Sequence, residues 1–160
     1  MQSKLMLGTI GAIVGAVVGA AIWAAITATT NFQIGYMAIG VGFLVGFAMR
    51  SLSGGTQRIE GVIAGAVALL GCALGNLLAI VVTIGQHEHY ALAGMLLGLA
   101  RNPLAAVELL RLGFDWMDLF FYAIAAYAAY RTALAPSRRA PLPQPAPPPA
   151  ERPNAAGPGT

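Results

Sequence analysis

The stretch 5–28 reads LMLGTIGAIVGAVVGAAIWAAITA, 24 residues without a charge whose only polar side chains are Thr9 and Thr27. At about 1.5 Å per residue a helix of this length reaches roughly 36 Å, more than the roughly 30 Å hydrocarbon core of a bilayer. Gly11, Gly15 and Gly19 recur at every fourth position and so fall on one stripe of the helix. A stripe that carries hydrogen in place of side chains lets another backbone approach closely. This helix is the expected centre of a small membrane bundle.

Composition points the same way. Apolar residues make up 58% of the 160-residue chain and charged residues 9%, against about 25% charged in ordinary soluble domains. A water-soluble chain of this size has too little interior to hide so much apolar surface, so the lipid bilayer is the expected solvent. The formal net charge is +3. Its cations sit at the ends of apolar runs and in the tail, a pattern that speaks of orientation in a membrane. No basic stripe interleaved with aromatics is present, which argues against a nucleic-acid partner. The single cysteine, Cys72, excludes an internal disulfide and reads as a small packing residue. The first apolar run exceeds the 7–15 residues of a signal-peptide core, and its small residues are patterned along it, so it is expected to stay in the mature chain.

Four spans are predicted, at about 5–28, 32–49, 61–84 and 116–134. The link through Thr29, Thr30 and Asn31 is short, so the second span must return antiparallel beside the first. Trp23 and Tyr36 suit the headgroup zone. Gly42 and Gly46, with Ala38, form a small-residue stripe on the second span. Ser53-Gly54-Gly55 marks a turn, Thr56 is a plausible N-cap, and Glu60 complements the positive end of the third helix. In the third span Gly61 and Gly65 are out of phase with Gly71 and Gly75 by two residues, so the two pairs are expected to face different neighbours. Gly11-Ala-Ile-Val-Gly15 matches Gly61-Val-Ile-Ala-Gly65, which hints at a parallel repeat of spans 1–2 in spans 3–4. The fourth span has no glycine and is expected to pack less closely.

Between spans 3 and 4, residues 85–113 are too broken for a crossing. Asn102 then Pro103 reads as N-cap then N1 of a short helix that ends near Gly113. One or two short interfacial helices are expected here, with a re-entrant element at 90–100 as an alternative. Asp115 and Asp118 open span 4 and Arg131 closes it, both favourable to the helix dipole. From Pro136 onward proline dominates and no helix or core can form, so a disordered, polyproline-like tail over 136–160 is expected. The fold class is therefore all-α, a transmembrane four-helix bundle over 1–135 with that tail appended.

Charge sorts by side. Lys4, Arg50, Arg58, Arg131, Arg138, Arg139 and Arg152 fall on one side of a four-span layout, and only Arg101 and Arg111 on the other, with Glu88, Glu108, Asp115 and Asp118. The positive-inside rule places both termini in the cytoplasm.

Few residues carry chemistry. Asn76 is the one strongly polar group deep in a span. It reads as an interhelical hydrogen-bond partner or as a polar point in a permeation path. His87, Glu88 and His89 are the only cluster of metal-ligand types. A zinc site needs three or four converging ligands, and the reading adopted is a solvated loop without metal. Ser51, Ser53, Thr83 and Cys72 have no base in a recognisable motif, and Gly54-Gly55 lacks the Gly-Lys-Ser/Thr of a phosphate loop. No enzyme and no cofactor are expected.

The run GAVVGAAIWAAITATTNFQIGYMAIGVGFLVGFAMR, followed by a glycine-rich third span and MDLFFYAIAAYAAYR, resembles small bacterial multi-span membrane proteins known only as uncharacterised. The resemblance covers about residues 5–132 and implies a bacterial inner-membrane protein. It carries no activity and no site residues. The expectation is a structural or accessory protein that assembles, with itself or with another membrane protein, through its glycine-lined helix faces. The alternative is a small oligomeric channel or permease.

Overall fold

The computed structural model describes residues 2–30, 35–54, 57–88 and 91–135. Asn31, the start of the predicted second span at 32–34, Thr56, His89 and the proline-rich stretch 136–160 lie outside them. The described residues form six helices and no strand: α1 (Gln2–Thr30), α2 (Tyr36–Ser53), α3 (Arg58–Glu88), α4 (Leu92–Arg101), α5 (Pro103–Gly113) and α6 (Trp116–Ala133).

Local sequence explains the helix ends. Gly54 adopts φ 97° and returns its N–H to the Arg50 carbonyl at 2.9 Å, which closes α2 in a conformation that strains any residue with a Cβ. The Asn102 side chain accepts from the Ala105 N–H, and Pro103 follows at the first helical position of α5. Asp115 and Asp118 build a capping box at the start of α6, with the Asp115 N–H donating to Asp118 Oδ2 at 3.0 Å.

α1 packs on α2 and α3, and α2 and α3 pack on α6. The glycine positions give the directions. Gly8 lies against Ser53 and Gly19 against Val41, so α2 runs back along α1. Gly71 meets Ala16 and Gly75 meets Ala20 and Trp23, so α3 runs parallel to α1. Gly61 faces Tyr130 and Leu134, and Gly65 faces Ala126, so α6 runs back along α3. The α3 glycine pairs thus serve two neighbours, Gly61 and Gly65 facing α6, Gly71 and Gly75 facing α1. Shifting α1 by 50 residues and α2 by 82 carries the contacts of Gly11 with Ala48 and Leu52 onto those of Gly61 with Tyr130 and Leu134. The same shift carries Gly15 against Leu44 onto Gly65 against Ala126. The short sequence match between the two stretches is therefore repeated in their contacts.

The interior is built from small residues. On α1 the buried positions are Gly8, Gly11, Ala12, Gly15, Ala16, Gly19, Ala20, Trp23, Ala24 and Thr27. Ile10, Ile13, Val14, Val17 and Ile22 point outward, each at least half exposed. A soluble protein buries its large aliphatic side chains and leaves small or polar ones outside. On α1, Trp23 apart, the order is inverted, which is compatible with an apolar surrounding solvent.

Three helices, α1, α2 and α3, are long and apolar enough to cross a membrane. α6 has 18 residues but carries Asp118, Arg131 and three tyrosines, and is not among them. α4 and α5 reach that apolarity only as a pair, bent by 112° at Asn102. Because α6 retraces α3, this pair leaves and rejoins the bundle at one end. A pair bent in this way is either a broken span or a re-entrant loop.

Two local expectations change. α6 does not pack loosely, because the glycines at its contact belong to α2. A Cβ at Gly42 would meet the Ala125 carbonyl oxygen, and one at Gly46 would come within 2.6 Å of the Ala129 oxygen. Trp23, assigned to the headgroup zone, is 1% exposed. Its ring fills the space left by the missing side chain of Gly75.

Candidate functional site

Asn76 is fully buried on α3. Cys72, one turn earlier, lies on the same face, and Tyr122 reaches them from α6. The Tyr122 hydroxyl donates to the Cys72 carbonyl at 3.1 Å and lies beside the Asn76 side chain. The Cys72 thiol donates weakly to the Ala38 carbonyl of α2 at 3.7 Å. One polar knot thus ties α3 to α2 and α6 at the level where apolar packing alone has no directional preference. Phe114 stacks edge-on against the Tyr122 ring, with centroids 5.7 Å apart. The sequence marks Asn76 and not Tyr122. Its signal was slight: Tyr127 is exposed, whereas Tyr122 occupies the alanine-rich face with Ala125, Ala129 and Ala133.

Among the described residues Trp23 Nε1, Thr27 Oγ1 and Glu60 Oε2 are buried side-chain atoms with no hydrogen-bond partner. Glu60 is 2% exposed, where the sequence suggested only a first-turn acid. The hydroxyls of Ser51, Ser53 and Thr83 donate to carbonyls one turn earlier in their own helices. Among the described residues no three His, Cys, Asp or Glu side chains are grouped to hold a metal. Of the His87, Glu88 and His89 cluster, His89 is outside the description.

At the other end of the knot a cleft opens between α3, α5 and α6. One cavity, about 310 Å³, is lined by Ala73, Val107, Leu110, Arg111, Phe114 and Tyr122. A second, of about 560 Å³, shares Val107 and Arg111 and adds Leu104, Glu108 and Leu112. No residue of α4 or α5 is buried.

No protein-family model, no curated protein and no solved structure matches this chain. The functional reading rests on its own residues.

Proposed function

We propose that the chain is an integral protein of a bacterial inner membrane, a four-helix bundle that crosses with α1, α2, α3 and α6, and that it serves a non-catalytic, accessory role. The observation that carries this reading is the inverted packing of α1, with glycine and alanine inward and isoleucine and valine outward. The antiparallel return of α6 along α3 supports the fourth crossing. Lys4, Arg50, Arg58 and Arg131 gather at one end of the helices, which favours cytoplasmic termini. The close glycine contacts fall within one chain and account for its own cohesion. A second copy or another membrane protein would meet the outward faces instead, such as the groove of about 430 Å³ beside Ile10, Val14, Leu44 and Phe47.

Cysteine cross-linking tests this, in a background where Cys72 is replaced by alanine. Val14→Cys is expected to give a disulfide dimer in membranes, and Ala64→Cys none. A monomeric mass in every mild detergent, with no cross-link at Val14, would refute assembly. A protein that stays dispersed without any amphiphile would refute the membrane reading.

A second reading, a small permeation path, draws on the buried unpaired atoms of Trp23 and Thr27 and on the repeated helix pairs, since parallel repeats also frame transport routes. Reconstituted vesicles would then leak a small solute, and Asn76→Leu would change that leak. Tight vesicles would dismiss it.

A further inference from the structure

We propose that the cleft between α3, α5 and the start of α6 holds one phosphatidylethanolamine molecule, with a tail toward Ala73 and the headgroup at Glu108 and Arg111. This rests on the membrane reading above. The two cavities share Val107 and Arg111 and adjoin along α5. The cavity beside Ala73 offers apolar side chains and ring faces. Ala73 is the middle residue of α3, so under the membrane reading this cavity lies near half the depth of the bilayer, where the acyl chains of one leaflet end. The cavity beside Glu108 is the place where charge appears.

Glu108 and Arg111 are three residues apart on α5, so they share a face. Neither has a hydrogen-bond or ion-pair partner among the described residues. An arginine fork fits a phosphate, and a carboxylate accepts from the three N–H donors of a primary ammonium. Phosphatidylethanolamine presents both groups a few atoms apart, joined to the chains the cavity beside Ala73 would take. An anionic headgroup would satisfy Arg111 and leave Glu108 facing a negative charge. Leu104 and Leu112, 78% and 82% exposed, flank the headgroup position and would rest on neighbouring chains.

The test is native mass spectrometry of the full chain in mild detergent. Palmitoyl-oleoyl phosphatidylethanolamine, phosphatidylcholine and phosphatidylglycerol are offered in equal amounts. The ethanolamine lipid is expected to be retained about fivefold over the choline lipid, whose methylated nitrogen has no N–H to donate to Glu108. Glu108→Gln should erase that preference, and Arg111→Gln should weaken retention of all three lipids about fivefold. Ala73→Phe, which fills the apolar cavity, should reduce retention of all three while sparing the headgroup preference. Both charged side chains are exposed and unpaired, so their variants should keep the helical circular-dichroism signal. The competition on the parent chain needs no variant at all. Equal retention of the three lipids, or a preference that survives Glu108→Gln and Arg111→Gln, overturns the site. So does a preference for the glycerol lipid. A chain that needs detergent but ignores headgroups loses only this site; one that needs no detergent loses the membrane reading as well.

Discussion

Replacing Gly42 by alanine adds one methyl group at the tightest approach between α2 and α6. The new Cβ would fall on the Ala125 carbonyl oxygen, with the Ala125 C and Cα both at 2.9 Å. All three neighbours are backbone, so no side chain can rotate away, and the helices must move apart. Restoring ordinary contact requires a shift of about 1 Å, which forfeits about half of the dispersion energy of each contact in the seam. Overpacking of this kind costs about 1–3 kcal/mol, and about 2 kcal/mol is expected here. Gly40, two residues away on the same helix, has nothing within 4 Å of its would-be Cβ. Gly40→Ala is therefore neutral, or stabilising by up to about 0.8 kcal/mol through helix propensity. The assay is reversible unfolding in mixed micelles of mild detergent and dodecyl sulfate, followed by circular dichroism. Mass in mild detergent is recorded alongside. Equal stabilities for the two variants would refute the packing argument. A lower mass with unchanged stability would move the Gly42 contact from within the chain to between chains.

Three other outcomes are expected. Tyr122→Phe removes the hydroxyl that donates to the Cys72 carbonyl beside Asn76, and should cost about 1 kcal/mol in the same assay; adding Asn76→Leu should then cost less than it does alone. Asp115→Ala breaks the capping box of α6 and should cost about 1 kcal/mol, with faster amide exchange confined to the first turn of that helix. Glu60→Gln replaces a buried carboxylate whose Oε2 has no partner, and stability should hold or rise; a loss above about 2 kcal/mol would mean that the carboxylate is bound to something.

Much of the local structure could be read directly. The uninterrupted apolar runs predicted α1 and α3, because hydropathy and length are sums over neighbouring residues and need no knowledge of folding. Asn102-Pro103 and Asp115-x-x-Asp118 announced the starts of α5 and α6, because capping is settled within four residues. Less could be read of the site. Asn76 stood out as a polar group in an apolar run, but Tyr122, its partner, is 46 positions away and looks like its exposed neighbour Tyr127. Glu60 resembled any first-turn acid until its burial appeared.

By itself, then, the sequence determined that the chain is helical, apolar beyond what water tolerates, and marked at regular intervals by residues with no side chain. Tertiary structure decided what each mark faces. It set Gly42 and Gly46 against a helix that has no glycine, turned Trp23 into the gap at Gly75, and folded α4 back on α5 beside an open cleft. The physical reason is that helix formation is governed by contacts within one or two turns. Which stripe meets which depends instead on the rotation and direction of whole helices, and those are fixed only when all of them pack together.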